Sequence, residues 1–274
     1  MFTLNCRGRL LVIERPIVMG IINTTPDSFY AGSRHAMVDD ALRTAERMLT
    51  DGATILDVGG QSTRPGSQPP GLQEELERVL AVIEAIGRHF PEAYISIDTY
   101  HSEVAKQAVF AGASIVNDIS GGLFDADMRS TVAALQVPYA SMHLRGDAAT
   151  MHQPQVYENL MRELLDHFIR TIAECTATGI KDIIIDPGFG FSKHSRDNFK
   201  LVKHLDILRM LERPILLGVS RKSTIYKTLG ISAEEALNGT TVLNTVGLLK
   251  GASILRVHDV KEAVEAVRLV AEMM

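Results

Sequence analysis

The chain has 274 residues, of which 46% are hydrophobic and 22% are charged, and its formal net charge is −5 at pH 7. This composition is ordinary for a soluble globular protein with a full-sized core. The acidic balance argues against general binding to nucleic acids or to anionic membranes. We therefore expect any bound anion to be held by a few locally placed cations.

The length fits one large α/β domain, because no linker-like stretch interrupts residues 1–274. The longest apolar runs are about as long as strands, far short of the ~20 residues of a membrane span. The N-terminus lacks a basic region followed by an apolar stretch, so no secretory signal is predicted. Cys6 and Cys175 are isolated, which suits a reducing compartment. We expect a cytoplasmic protein.

Short apolar runs alternate with segments of helical spacing along the chain. Most runs are rich in β-branched residues and too short for helices, as buried parallel strands would be. The segments between them repeat apolar residues at i, i+3 and i+4. The pattern predicts a (β/α)8 barrel, and the Rossmann alternative lacks its glycine motif after the first strand. The eight runs are 17–22, 54–58, 94–97, 114–116, 138–142, 182–185, 214–219 and 253–257.

Several local signals refine this prediction. Residues 2–13 read as two extended stretches joined around Arg7 and Gly8, so residues 1–15 are predicted to hold a hairpin that closes the barrel bottom. Two capping-box spacings predict helix starts, at Ser232 with Glu235 and at Asp259 with Glu262. Gly179 is placed to end a long helix as its C′ residue.

Cations follow the last two predicted strands. Arg256 and His258 are two residues apart, so they would point the same way at the end of the eighth strand, where barrels bind phosphate or diphosphate. Alternatively, Arg256 pairs with an acid on a neighbouring strand and His258 caps the final helix. Ser220 to Ser223, which includes Lys222, follows the seventh strand, and it either binds phosphate or caps a helix.

Asp98, Asn117 and Asp186 each end a different strand. One such residue alone could cap a helix or fix a loop. Three that converge in one barrel mouth need donors, because buried carboxylates must be paired. A heterocycle with adjacent ring N–H and amino groups would supply them.

Asn23 ends the first strand and is a neutral oxygen ligand. It suits a Mg²⁺ ion that is held mostly by substrate phosphate and water, although the sequence alone slightly favours an Asx turn before Pro26. Loops 24–34 and 61–70 are long enough to be lids or are plain connections. His143 and His152 lack metal-ligand spacing and are interpreted as structural or surface residues.

Seven short motifs together resemble those of the bacterial dihydropteroate synthases, in the family's order and from about residue 17 to residue 259. Each motif is modest, but seven in order at the expected barrel positions are highly specific. They are Asn-Thr-Thr-Pro-Asp-Ser-Phe from Asn23, Gly-Gly-Gln-Ser-Thr-Arg-Pro-Gly from Gly59, Ile-Asp-Thr from Ile97, Val-Asn-Asp from Val116, Asp-Pro-Gly-Phe-Gly-Phe from Asp186, Ser-Arg-Lys-Ser from Ser220 and Arg-Val-His from Arg256.

The resemblance implies a folate-pathway transferase that condenses a pterin hydroxymethyl diphosphate with 4-aminobenzoate, assisted by Mg²⁺, in a homodimer. It implies that the pterin is bound by Asp98, Asn117, Asp186, Lys222, Met142 and Gly218. It implies that diphosphate is bound by Asn23, Arg256 and His258, with Asn23 also the metal ligand. It implies an aminobenzoate pocket of Thr63, Arg64, Pro65, Phe29, Phe191 and Ser220. The catalytic residues it implies are Lys222, Asp186, Arg64 and Thr63.

The chain departs from the family pattern in the loops after the first two strands. Gln61 replaces a usual Glu, Ala31-Gly32-Ser33 replaces Asp-Gly-Gly, and Thr24 replaces Val. These changes bear on aminobenzoate binding rather than on pterin recognition.

Three alternatives remain open at this point. A pterin-binding methyltransferase domain would keep Asp98, Asn117 and Asp186 but has no use for the Arg256 and His258 pair. A non-catalytic paralogue would be expected to lose Lys222, Arg64 or His258. A barrel enzyme for another phosphorylated metabolite would leave the three strand-end acids and amide without a purpose.

Overall fold

The computed structural model describes residues 1–24, 33–61 and 71–273, with the backbone alone at 33–35. Its strands are β1 (Phe2–Cys6), β2 (Arg9–Ile13), β3 (Ile17–Asn23), β4 (Ile55–Gly59), β5 (Tyr94–Asp98), β6 (Ile115–Asp118), β7 (Tyr139–Met142), β8 (Ile183–Asp186), β9 (Leu216–Leu217) and β10 (Ile254–Val257). Its helices are α1 (Ser33–Thr50), α2 (Leu72–His89), α3 (Ser102–Ala111), α4 (Met128–Leu135), α5 (Leu160–Thr178), α6 (Ser195–Lys203), a 3-10 helix at Leu205–Leu211, α7 (Ser223–Leu229), α8 (Leu237–Leu249) and α9 (Val260–Ala271).

The eight predicted strands are present and parallel, in the spatial order β8-β7-β6-β5-β4-β3-β10-β9. A single bridge between Ile185 and Ile215 joins the two ends of this sheet, so the barrel is nearly closed. The predicted (β/α)8 barrel is therefore confirmed. β9 is shorter than the predicted run 214–219, because Ile215 pairs only through that bridge.

The N-terminal hairpin is also confirmed. Arg7 and Gly8 both have positive φ, at 55° and 84°, as the two central residues of a tight hairpin turn require. The hairpin's inner face packs against the first inward-facing side chains of the barrel strands, which closes the bottom of the lumen. This apolar floor consists of Leu4, Cys6, Leu11, Ile13, Met19, Ile55, Ile115, Ala140, Ile184, Leu216 and Ile254.

Helix ends follow the predictions in part. Gly179 ends α5 with φ 106°, as predicted. The Ser232 backbone N–H donates to the Glu235 carboxylate at 2.9 Å, but no helix starts at Ser232. The next helix, α8, begins at Leu237 with Ala236 as its N-cap, so this predicted helix start is wrong. The predicted helix start at Asp259 is confirmed, because Asp259 is the N-cap of α9. The capping box itself is wrong, because the Asp259 side chain makes no cap hydrogen bond. Its carboxylate instead accepts two hydrogen bonds from Arg221, at 2.9 and 2.8 Å, because a guanidinium is a stronger partner than a backbone N–H.

No helix in the described ranges is long and apolar enough to cross a membrane.

Leu10 and Leu11 provide a matched test of the hairpin, because adjacent strand residues face opposite sides. Leu11 is buried in the floor and pairs with Leu4 across the hairpin, whereas Leu10 is 61% exposed. We expect Leu11→Ala to lower the free energy of unfolding by about 3 kcal/mol, and Leu10→Ala to change it by less than ~0.5 kcal/mol. Urea unfolding measures both. Equal effects would show that the hairpin does not seal the barrel.

Candidate active site

A polar layer lies one pleat above the apolar floor. Residues two apart on a strand face the same way, so the next inward positions of the strands line the same level of the lumen. At this level Asp57, Asn117, Met142, Asp186, Gly218 and Arg256 follow the floor residues Ile55, Ile115, Ala140, Ile184, Leu216 and Ile254. The fold thus brings the predicted strand-end residues together in one barrel mouth.

Arg256 joins two carboxylates across the lumen. Its Nε donates to Asp57 Oδ2 and its Nη2 donates to Asp98 Oδ2, both at 2.6 Å. Asn117 Nδ2 donates to the same Asp57 oxygen at 3.1 Å. The alternative that Arg256 pairs with an acid on a neighbouring strand is wrong in its detail. The acids lie on β4 and β5, whereas the neighbours of β10 are β3 and β9.

The charges of this cluster are strongly coupled. Burial raises the pKa of Asp98 to about 7, against the opposing effect of Arg256 and with smaller contributions from Asp57, Glu75 and Asp118. The second carboxylate oxygen of Asp57, Oδ1, is buried and has no hydrogen-bond partner within the described part of the chain. Sequence reasoning missed Asp57, although a carboxylate inside the apolar run 54–58 was a readable signal.

Lys222 follows β9 as the N-cap of α7 and interacts electrostatically with Asp186. Its Nζ donates to the Phe189 carbonyl at 2.5 Å and lies 4.5 Å from the centre of the Phe191 ring. Burial lowers the pKa of Lys222 to about 8, although the Asp186 carboxylate opposes this shift. An amine whose pKa is so close to neutrality can gain or lose a proton at little cost.

Asp186 is buried, and burial raises its pKa while Lys222 opposes the rise. Its Oδ1 accepts a hydrogen bond from the Gly188 N–H at 2.7 Å. The loop that follows it brings Phe191 into an apolar cluster with Met142, so an apolar wall adjoins the charged layer. The described members of this cluster are Tyr100, Ile119, Met142, Leu144 and Phe191, with Phe124 and Met151 packed against them.

The rim joins the ends of β9 and β10. Ser220 Oγ and His258 Nδ1 are 3.0 Å apart, and the His258 N–H donates to Ser220 Oγ at 3.1 Å. Residue 259, not His258, is the cap of α9, and no side-chain cap hydrogen bond is present at the start of α7. The helix-capping alternatives for His258 and for the Ser220 motif are therefore wrong.

The predicted aminobenzoate residues Phe29, Thr63, Arg64 and Pro65 lie outside the described residues. Two departures from the family pattern can be located. The Thr24 hydroxyl donates to the Gly59 carbonyl at 3.1 Å, and the Gln61 amide donates to the buried Glu75 carboxylate at 2.5 Å. Because an amide donates where a carboxylate cannot, Gln61 gives Glu75 a neutral partner.

Asn23 is exposed at the last position of β3. Within residues 1–24, 33–61 and 71–273, no group of three His, Cys, Asp or Glu side chains is placed to hold a metal. An exposed amide oxygen at the carboxyl end of β3 fits an ion such as Mg²⁺, which keeps most of its water and binds phosphate oxygens.

The two histidines interpreted as structural or surface residues have different surroundings. His143 is buried, and its Nδ1 lies 3.1 Å from Lys193 Nζ. His152 stacks on Phe191, with ring centres 5.3 Å apart. Sequence reasoning did not single out Lys193, because one lysine in a polar loop carries no spacing signal.

Comparison with known proteins identifies the family. The family model of pterin binding enzymes matches residues 19–258. The dihydropteroate synthase of Escherichia coli (strain K12) is 41% identical over 266 residues, which cover 96% of this chain and 94% of that protein. The chain belongs to the dihydropteroate synthases, within the pterin-binding enzymes. It is a transferase of this type, which confirms the family expected from the seven motifs.

Solved dihydropteroate synthases share the whole fold. One from Xanthomonas albilineans with 4-aminobenzoic acid is 38% identical, has a TM-score of 0.91 and aligns over 99% of this chain and 97% of that one. The same organism's enzyme in complex with 7,8-dihydropteroate is 33% identical, with a TM-score of 0.87 over 99% and 98% of the two chains.

The coupling within the charged layer can be measured through Asp98. Because its folded pKa lies above the ordinary 3.8, Asp98 contributes stability that is complete below about pH 4 and is lost as pH rises through about 7. Asp57→Asn removes a negative charge that raises this pKa. We expect a lower Asp98 pKa in carboxyl ¹³C titrations, and a loss of about 2 kcal/mol as Arg256 loses one charged partner.

Asp166→Asn, on the exposed side of α5, is the control for this experiment. An Asp98 pKa that stays the same or rises in Asp57→Asn would show that the two carboxylates do not interact.

Proposed function

We propose that this dihydropteroate synthase condenses 6-hydroxymethyl-7,8-dihydropterin diphosphate with 4-aminobenzoate, giving 7,8-dihydropteroate and diphosphate. The observation that carries the proposal is the contact between Arg256 and Asp98. It puts a cation for the leaving group and a carboxylate for the heterocycle within reach of one small molecule. The Xanthomonas albilineans structures, with 4-aminobenzoic acid and with 7,8-dihydropteroate, support this amine substrate and this product.

In this proposal the pterin lies in the polar layer. The carboxylates of Asp98 and Asp186 accept hydrogen bonds from ring N–H and amino groups, and the Asn117 amide can both donate and accept. Lys222 donates to the acceptor side of the ring system. Met142 contributes an apolar surface, and Gly218 leaves space: a Cβ there would lie 3.8 Å from both Arg256 Cβ and Lys222 Nζ.

The reaction replaces one bond at the pterin CH₂ group. The bond to the bridging diphosphate oxygen breaks and its electron pair leaves with diphosphate, while the electron-rich pterin stabilises the resulting cation. Asp98 and Asp186 favour that cation electrostatically, and Arg256 and His258 favour the departing anion. The aromatic amine then forms the C–N bond and loses a proton. Holding the amine in place offsets its weak nucleophilicity.

Phe191 and Ser220 would form the described part of the aminobenzoate pocket. They flank Lys222 on two different loops, one after β8 and one after β9. Thr63, Arg64, Pro65 and Phe29, which lie outside the described residues, are the other residues proposed for this pocket. The proposed catalytic residues are Thr63, Arg64, Lys222 and Asp186.

We also propose Mg²⁺ as the cofactor, with Asn23 as its protein ligand. When bound with diphosphate, Mg²⁺ would neutralise charge on the leaving group. The fit rests on the exposed position of the Asn23 amide at the carboxyl end of β3.

The assembly and location of the chain are proposals as well. α8 contains no charged residue, yet Val242 and Leu249 on it are about half exposed, which suits a homodimer interface. Cys6 and Cys175 are both free and buried, which suits the reducing cytoplasm.

Diphosphate release in the presence of both substrates and Mg²⁺ tests the function. We expect Lys222→Ala and Asp186→Ala each to lower turnover by at least ~10²-fold, because each removes a charged group that contacts the pterin. Lys227→Ala, on the exposed side of α7, is the matched control and should turn over normally. Near-normal rates in both site variants, with intact folds by circular dichroism, would rule out these roles.

Removal of the metal gives a separate test. We expect a chelator to lower turnover and added Mg²⁺ to restore it. Asn23→Ala should raise the Mg²⁺ concentration for half-maximal activity while leaving the KM for aminobenzoate nearly unchanged, because only the diphosphate end is affected. An Asn23→Ala enzyme with the wild-type Mg²⁺ dependence would exclude Asn23 as a ligand.

A further inference from the structure

Lys193 is a buried cation outside the set of proposed substrate-binding residues. Its side chain is 5% exposed. In the part of the chain that the structure describes, its hydrogen-bond acceptors are neutral. Nζ lies 3.0 Å from the Gly188 carbonyl, 3.2 Å from the Phe191 carbonyl, 3.1 Å from His143 Nδ1 and 3.4 Å from the His143 carbonyl. A charged group is seldom buried without a specific role.

The geometry matches an ammonium group. An ammonium has three N–H donors, and the three shortest contacts are to Gly188, Phe191 and His143 Nδ1. His143 can accept only as a neutral ring, and burial lowers its pKa well below the ordinary value. Burial also lowers the pKa of Lys193 to about 7, while the Asp186 carboxylate opposes this shift.

Two lysines donate hydrogen bonds to backbone carbonyls of the loop after β8. Lys193 binds the carbonyls of Gly188 and Phe191, and Lys222 binds the carbonyl of Phe189 between them. The loop approaches β7 so closely that a Cβ on Gly188, at φ 70°, would lie 2.0 Å from the His143 carbonyl oxygen. Only glycine fits there.

This loop carries groups of the proposed site. The Gly188 N–H donates to Asp186 Oδ1, so a displaced Gly188 would turn the carboxylate that faces the pterin. Phe191 carries the ring beside Lys222 Nζ. Asn198 assists from α6 by accepting from the Gly190 N–H at 2.7 Å, and its amide lies 3.4 Å from the Lys193 carbonyl.

We propose that Lys193 is a positioning residue of the active site: by binding the Gly188 and Phe191 carbonyls from behind, it sets the orientation of Asp186, Phe191 and Lys222. This inference rests on the proposed function of that site. Lys193 does not contact substrate in it. Its removal should therefore reduce the rate of the folded enzyme rather than only the amount of folded enzyme.

Lys193→Met tests the proposal, because methionine fills a similar volume without N–H donors. Lys200→Met on α6 is the matched control. Lys200 is exposed, and its side chain donates a hydrogen bond to Asp197 on the same helix rather than to the loop after β8. We expect kcat per folded molecule to fall by about 10²-fold in Lys193→Met and to stay at the wild-type value in Lys200→Met. Lys193→Gln, which keeps two N–H donors, should recover part of the loss.

A spectroscopic signature separates positioning from general stability. In protein labelled with 4-fluorophenylalanine, we expect the ¹⁹F resonance of Phe191, assigned by Phe191→Leu, to shift in Lys193→Met. The resonance of Phe168, a buried residue of α5, should keep its position.

Each outcome is decisive. If the wild-type enzyme releases no diphosphate, the proposed function fails. If it does, and folded Lys193→Met keeps the wild-type kcat and Phe191 resonance, the positioning role alone is overturned. If neither Lys193→Met nor Lys193→Gln folds, the role is also overturned, because Lys193 is then required by the fold rather than by the site.

Discussion

The site depends on a guanidinium that is held across a closed lumen between two carboxylates. Arg256 binds Asp57 on β4 and Asp98 on β5, although it starts from β10. Burial makes unpaired charges too costly, so these three side chains must lie near one another. The same pairing places carboxylates next to a cation. A substrate with an N–H-rich ring and an anionic end requires this arrangement, because the carboxylates accept from the ring and the cation binds the anion. The hairpin beneath supports this layer, because its apolar floor excludes water from below.

The walls of the barrel mouth are held together by hydrogen bonds between side chains and the strand-end loops. In the loop after β8, the Gly188 carbonyl accepts a hydrogen bond from Lys193 and the Phe189 carbonyl accepts one from Lys222. Ser220 and His258 join the next two strand ends. Three contacts cross from one βα unit to the next: Lys193 to His143, Lys222 to Phe189 and Ser220 to His258. They hold the ends of four neighbouring strands in one arrangement. The two lysines also show how burial tunes a single residue type: the pKa is about 8 for Lys222 and about 7 for Lys193.

Sequence reasoning succeeded where a local pattern has one physical meaning. Runs of β-branched residues at regular spacing located the strands, and an Arg-Gly turn between extended stretches located the hairpin. It failed where the outcome depends on a choice between partners. Asp259 has the spacing of a helix cap, but Arg221 outcompetes the backbone for its carboxylate. Asp57 and Lys193 escaped notice because each is a single charged residue, and nothing in its neighbours reveals what lies across the barrel.

The sequence alone determined three things: the eight strand–helix units, the end of the barrel where the polar residues lie, and the family that the motifs indicate. These depend on periodicity and on residue type, which are local properties. The partners of Arg256, the grip of Lys193 on the loop after β8 and the pairing of Ser220 with His258 were decided only by the tertiary structure. The reason is that barrel closure brings together residues as much as 199 positions apart, such as Asp57 and Arg256, and no local pattern encodes such a distance.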